Sequence, residues 1–271
     1  MQTALSGMNA ATLSLQVAAN NLANQQTTGF KAGRPQFSTM PAADGPGALG
    51  WGGTLTVGGV QVSGIQLDQT QGTVELADDQ PALWTLQGEG LFILERASGE
   101  RHYSRDGRFR FNADGELVTT DGLRVMGFKA DADGQVDATQ LAPLRVDLSE
   151  GAPALTRFAV SRDGRLVGYF SDGTRRVVGQ VRLARFANPS GLLQRGGNLY
   201  RATPASGLPR DVAPGAAEII NGASEISNTD IGRELIELAL AGNHFRANLA
   251  VFQTADALLG ELFFPYYERL A

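Results

Sequence analysis

His102 and His244 are the only imidazoles in this 271-residue chain, and it has no cysteine. A thiol nucleophile, a thiolate zinc site and a disulfide scaffold are therefore excluded for it, and a multi-histidine metal site has little to work with. His102 stands in the strand-like run Arg101-His102-Tyr103-Ser104. No motif supplies it with a nucleophile or carboxylate, so it reads as a surface or edge-strand histidine. His244 lies beside the apolar seam of a helical segment and reads as an interface or solvated residue. Asp131-x-Asp133-Gly134 looks like a fragment of a calcium loop, but the third acidic position and the closing glutamate are missing, so it reads as a turn. Gly88-x-Gly90 is not followed by the third glycine of a dinucleotide fingerprint, since Ile93 stands there. Asp78-Asp79 before Pro81, and Asp147 with Glu150 before Gly151 and Pro153, read as solvated turns rather than as acid/base pairs. No G-x-S-x-G elbow occurs. Arg105, Arg108 and Arg110 cluster with acidic residues nearby and read as a solvated strand face or a subunit contact. These residues assign no catalytic group, no cofactor and no metal ligand, and the chain reads as a non-enzyme.

The elements around these residues carry more information. At 42% hydrophobic and 19% charged, the chain has enough apolar residue to fold around a core rather than stay disordered. A net charge of -5 argues against nucleic-acid binding, which needs a basic face. No run reaches the roughly 18 apolar residues of a membrane span, and the first residues lack the basic n-region of a secretory signal.

From Met1 to about Asn24, apolar residues and alanines recur at Met1, Ala4, Met8, Ala11, Leu15, Ala18 and Leu22. The steps alternate three and four, which predicts an amphipathic helix with a narrow, Ala-rich seam. A second seam runs from about Asp230 to Phe263: Ile231, Leu235, Leu238, Gly242, Phe245, Leu249, Phe252, Asp256, Leu259 and Phe263. Ser227-Asn228-Thr229-Asp230 offers N-cap residues, Glu234 suits the helix dipole, and Pro265 predicts the stop. This helix is roughly 50 Å long at 1.5 Å per residue.

Between the two seams, Asp-Gly recurs at 106–107, 114–115, 121–122, 133–134, 163–164 and 172–173. Several of these separate strand-like runs: 108–111, 116–119, 165–170 and 175–178. The pattern predicts hairpins with type I′ turns. Pro41–Gly59 is mostly Gly, Ala and Pro and reads as an extended linker or loop. The fold class is α+β: a mainly-β, hairpin-rich central domain flanked by N- and C-terminal helices that pair as an antiparallel coiled coil. The boundaries read as 1–31 with 224–271 for a discontinuous helical domain, 32–59 for the linker and 60–223 for the β domain. Paired helices of this kind leave much of their surface to water, which points to a polymer subunit.

The run Asn20-Asn21-Leu22-Ala23-Asn24-Gln25-Gln26-Thr27-Thr28-Gly29-Phe30-Lys31 closely resembles the N-terminal signature of bacterial flagellar rod and hook proteins. Its physics is consistent: a helix ending at an asparagine able to take the left-handed region, a Thr28-Gly29 turn, and Phe30 as anchor. Leu86-Gln87-Gly88-Glu89-Gly90-Leu91-Phe92, Tyr103-Ser104-Arg105-Asp106-Gly107-Arg108-Phe109 and the run Asp114 to Gly122 resemble further motifs of that family, in order. So do the runs Phe186 to Leu192 and Gly196 to Tyr200, and Ser227-Asn228 before the last helix. The resemblance spans nearly the whole chain. It implies a non-catalytic axial subunit of the flagellum, located in the basal body and exported unfolded by the flagellar type III apparatus. The terminal helices would form an inner tube around the export channel, with the β domain as the next shell. The implied partners are the chain itself, as a helical homopolymer, and neighbouring rod and hook subunits, with no nucleic acid and no membrane insertion. The seam positions Met8, Leu15, Leu22, Leu235, Leu238, Phe245, Leu249, Phe252 and Leu259 are then the assembly residues. Asn20, Asn21, Leu22, Asn24, Thr27, Gly29, Phe30 and Lys31 carry the family signature.

Hook proteins insert a large outer β domain before the second β segment. Here Ser161-Arg162-Asp163-Gly164 follows Gly127 too closely for that, which favours a rod-type subunit. Leu5 to Ala11 and Phe170-Ser171-Asp172-Gly173 look more hook-like, so a divergent short hook protein is one alternative. A soluble β-rich binding module with dimerising terminal helices is another. Gly242-Asn243 departs from the family's usual Gln-Arg, and the glycine would permit a bend or a close helix contact.

Overall fold

The alternating seam at the N-terminus becomes helix α1, Gln2–Ala23. The computed structural model describes residues 1–40, 58–76, 83–131, 133–146, 153–213 and 215–268, without the side chains from 262 onward. The chain forms an α+β structure of two compact units. The first comprises residues 1–25, 32–68 and 229–271, and the second residues 26–31 and 69–228.

In the first unit, α1 packs on a hairpin and on the long C-terminal helix. The hairpin pairs β1 (Gly33–Met40) with β2 (Gly59–Leu67), antiparallel, with a bulge at Gln36/Phe37. Strand β1 thus occupies part of the predicted linker, while residues 41–57 of it lie outside the described residues. Helix α2 runs Ile231–Glu268. Asp230 caps it, its carboxylate accepting the Arg233 backbone N–H at 2.8 Å. Two expectations are corrected at helix ends. The backbone stays helical past Pro265: a proline removes one i→i−4 bond, and the turns around it persist. Asn24, at the end of α1, has φ -101 and ψ 16 rather than left-handed angles. Its side-chain amide donates to Asn20 O at 2.9 Å, satisfying a terminal carbonyl by another route.

The second unit is β-rich. Its strands are β3 (Val74–Leu76), β4 (Trp84–Gly88), β5 (Leu91–Glu95), β6 (Arg101–Ser104), β7 (Phe109–Phe111), β8 (Leu117–Thr119), β9 (Arg124–Ala130), β10 (Val136–Pro143), β11 (Leu155–Val160), β12 (Arg165–Phe170), β13 (Arg175–Val181), β14 (Leu183–Arg185), β15 (Leu193–Gln194), β16 (Leu199–Arg201), β17 (Arg210–Asp211), β18 (Ala217–Asn221) and β19 (Ala223–Glu225). The main path orders them β11-β12-β13-β9-β5-β6-β16-β15, while β18 pairs with β4 and β19 with β3. The core is built by residues of β4, β5, β7, β8, β9, β12 and β18, among others. Trp84 meets Phe109 edge-on at 5.2 Å, and Phe109 meets Phe92 at 5.0 Å. Leu86, Leu94 and Leu117 close around them with no exposed surface.

The Asp-Gly turns are hairpin turns of a different type from the one predicted. At Asn112–Glu116, Gly115 N donates to Asn112 O at 3.0 Å, and Asn112 N donates to Glu116 O at 2.9 Å. Gly115 alone of these takes positive φ, at 74°. This is a three-residue loop: a type I turn closed by a left-handed glycine. The same hydrogen-bond pair recurs at 119–123, 131–135, 161–165 and 170–174. A type I′ turn would force the aspartate to positive φ, whereas Asn198 is the only non-glycine residue found there among the described residues. Asn112 and Asp131 favour the type I turn, each accepting two backbone N–H groups of its own loop. The sixth site, Asp106-Gly107, is no hairpin loop: Gly107 O accepts the Trp84 N–H at 3.0 Å.

Candidate functional site

The first candidate is the surface of the terminal helices. On α1, Ala4, Ala11 and Ala18 are buried, Met8, Leu15 and Leu22 are half-buried, and Met1 is exposed. On α2, the residues facing inward are Glu234 and Ala241, both buried, with Leu238, Phe245, Asn248, Phe252 and Ala255 half-buried. Leu238, Phe245 and Phe252 belong to the predicted seam. Leu249 is half-buried beside it, and Ile231, Leu235 and Leu259 stand 49%, 52% and 41% exposed. Ile236, Leu240, Val251 and Leu258 add further exposed apolar side chains on α2. The helix is thus apolar over more of its circumference than one neighbour covers.

Gly242 has open space where a Cβ would stand, so the close helix approach expected there is absent. The close approach is at Gly7, where a Cβ would fall 2.5 Å from the Asn248 side chain. Nothing in the periodicity distinguishes Gly7, because Ser6 and Asn9 around it are ordinary polar-face residues.

The signature residues have definite structural work. In the first unit, the buried Asn21 amide donates to Gly33 O at 2.9 Å and to Glu234 Oε2 at 3.1 Å, and its oxygen accepts Gly33 N–H at 2.8 Å. One side chain therefore ties α1 to the start of β1 and to the first turn of α2. Asn20 is exposed, and Leu22 and Asn24 are half-buried. In the second unit, Thr27 O accepts Phe30 N–H at 3.2 Å, Gly29 takes φ 69°, and Phe30 is buried.

Lys31 is buried beside Glu225. Its ammonium donates to Glu225 Oε1 at 2.6 Å and to Thr70 O at 2.7 Å. Arg105 donates to the other Glu225 oxygen at 3.3 Å and to Gly88 O at 2.7 Å. Gly72 N–H also donates to Glu225 Oε1, at 3.0 Å. Arg105 is therefore not on a solvated face, as its spacing suggested. Arg108 pairs with Asp106 at the surface, and Arg110 is exposed. Glu225 carried no sequence signal of its own. The phenol of Tyr200 is buried near this cluster, and burial pushes its pKa up to about 12.

His102 is corrected too. Strand β6 is paired on both sides, by β5 and β16, so it is no edge strand, and His102 on it is 3% exposed. Its Nε2 lies 3.6 Å from Glu100. His244 is exposed. The Asp131 loop spends one carboxylate oxygen on its own backbone, and no group of three metal-ligating side chains occurs among the described residues. Asp78, Asp79, Asp147 and Glu150 lie outside the described residues. No helix among the described residues is long and apolar enough to cross a membrane.

Terminal helices apolar beyond one partner, a hairpin-rich β unit and the signature segment locked by Asn21 and Lys31 are the parts of an axial flagellar protein. Residues 1–31 match the family model of flagella basal body rod proteins, and residues 85–168 match that of the flagellar hook protein FlgE/F/G D1 domain. The chain belongs to the family of flagellar basal-body rod and hook proteins. It is 32% identical over 273 residues to the flagellar basal-body rod protein FlgG of Caulobacter vibrioides, covering 96% of each chain. Identity to FlgG of Bacillus subtilis is 29%, covering 97% of each. The flagellar hook protein FlgE of Salmonella typhimurium is 22% identical, covering 96% of this chain and 98% of that one. That alignment runs over 405 residues, so the hook protein carries sequence inserted against this chain.

Proposed function

We propose that this chain is a rod-type structural subunit of the flagellar basal body that polymerises into a helical tube through its terminal helices. The observation that carries this is the row of exposed apolar residues on α2, including Leu235, Ile236, Val251 and Leu258. A water-facing helix of a free monomer has no use for them, whereas neighbouring subunits would cover them. Full-length alignment with rod proteins, and the inserted sequence of the longer hook protein, favour rod over hook.

Within the subunit, α1 and α2 pair as an antiparallel coiled coil. Asn21 lies near Glu234 at one end and Gly7 near Asn248 toward the other, which supports this direction. Helix α2, at 38 residues, is far longer than α1 at 22, so its later turns need a different neighbour. The seam residues Met8, Leu15, Leu22, Leu238, Phe245 and Phe252 hold the pair. Leu235 and Leu259 face the next subunit, with Leu249 between the two sets. The subunit acts without catalysis or cofactor, and reaches the basal body through the flagellar export apparatus.

The test is assembly of the purified full-length chain, scored by sedimentation and electron microscopy. The wild type forms tubes above a threshold concentration. L235D, at a half-exposed position, keeps the β-sheet circular dichroism of the wild type and forms none. Tubes from L235D at the wild-type threshold, or a wild type that stays monomeric at every concentration, would overturn the reading.

A further inference from the structure

Strands β14 and β17 set Arg185 directly opposite Arg210. Like charges in that position repel each other and weaken the pair. The adjoining Arg182 is matched, pairing with Asp211. Arg185 and Arg210 are exposed, and neither has an acidic side chain within 4.0 Å among the described residues.

Both line a cavity of about 390 Å³ that Leu91, Phe186 and Pro189 also border. Two other charged groups border it, Arg105 and Glu89. Arg105 is committed to Glu225 and to the carbonyls of Leu86 and Gly88. Among the described residues Glu89 is therefore the one carboxylate there, against two uncommitted guanidinium groups. Two guanidinium forks side by side suit a carboxylate.

We propose that this cavity receives an aspartate or glutamate side chain from a second copy of the chain, held by Arg185 and Arg210. The occupant follows from charge: the chain carries 28 Asp and Glu against 23 Lys and Arg, so each copy presents an excess of carboxylates. A cavity on one copy filled by a different surface of the next is a head-to-tail contact. Such contacts do not pair two copies about a two-fold axis; they close into rings or, where the rotation does not close, propagate into helical filaments. The proposal rests on the polymer reading above and adds the residues of one contact between its subunits.

The test exploits zero-length coupling. R210K places an amine at the cavity, and a carbodiimide joins it to a carboxylate already in contact. Isotope-labelled and unlabelled R210K chains are mixed, assembled and scored for tubes before coupling, and the joined peptides are then read by mass spectrometry. The proposal expects an amide bond from position 210 to an aspartate or glutamate of the other isotope, formed in tubes and absent from dilute monomer. Tubes in which position 210 couples only to its own Glu89, or to nothing, overturn this contact and leave the polymer reading standing. Absence of tubes in the wild type overturns both. A second variant, R185E with R210E, should raise the threshold concentration tenfold or more without lowering the melting temperature of the monomer. An unchanged threshold overturns the proposal.

Discussion

The Lys31 ammonium and a Glu225 carboxylate oxygen lie 2.6 Å apart, and both side chains are 1% exposed. A buried pair of this kind is not a strong source of stability in itself, because desolvation offsets much of the attraction. Removing one partner is costly, however, since the other is left buried with its charge. E225A removes the buried carboxylate that both Lys31 and Arg105 face and is expected to lose about 3–5 kcal/mol in urea unfolding. K31M leaves Arg105 on the same carboxylate and should lose less. An E225A protein within about 1 kcal/mol of the wild type would show that the cluster is hydrated in solution.

Asn21 occupies the equivalent position of responsibility in the other unit. Its amide makes three hydrogen bonds, two of them with the backbone of Gly33. N21L keeps the helix and the approximate volume but orphans the Gly33 N–H and C=O. The expected loss is about 2 kcal/mol. Proteolysis should then cut first near the start of β1. A variant whose cleavage pattern matches the wild type would refute a locking role for Asn21.

These two residues mark the limit of what the sequence discloses. Periodicity exposed both helices, and the Asp-Gly repeats exposed the hairpins, because each is a local pattern written in consecutive residues. The signature identified Asn21 and Lys31 as important without saying why. Their partners, Glu234 and Glu225, lie 213 and 194 residues away, and such pairing leaves no local trace. His102 was misread for the same reason: a four-residue strand cannot say whether it lies at a sheet edge or what will pack over its face. On α2, the heptad spacing was legible, but which of two adjacent stripes faces α1 was not. Leu235 and Glu234 differ by one residue, and the inward one is the charged Glu234, chosen by its bond to Asn21.

Two glycines separate steric from conformational constraint. Gly107 has ordinary backbone angles, yet a Cβ there would fall 1.8 Å from Trp84 O. Gly122 takes φ 80°, yet nothing lies within 4 Å of its Cβ position. G107A must displace a strand that carries the central tryptophan and is expected to cost about 3 kcal/mol. G122A meets only the left-handed penalty, about 1–2 kcal/mol. Chemical denaturation of the two variants side by side checks the order. A reversed order would place the tight contact elsewhere.

Tyr200 gives the pH dependence. Burial disfavours its phenolate and holds its pKa at about 12, against an ordinary value of 10.0; the nearby Arg105 lowers it and Glu225 raises it, both less than burial does. Below pH 10 the folded and unfolded chains both carry the phenol proton, so stability is insensitive to this group. Between pH 10 and 12 the unfolded chain releases the proton while the folded chain keeps it. The unfolded state is then favoured increasingly, and stability falls by about 1.4 kcal/mol per pH unit across that window. Above pH 12 both forms are ionised and the dependence ends. The chain has five tyrosines, and burial also raises the pKa of Tyr103. Absorbance near 295 nm should therefore show a late tyrosine step that coincides with loss of the β-sheet signal. In Y200F the late step should shrink, and the decline in stability between pH 10 and 12 should flatten. If Y200F declines as steeply as the wild type, the alkaline sensitivity belongs to another group.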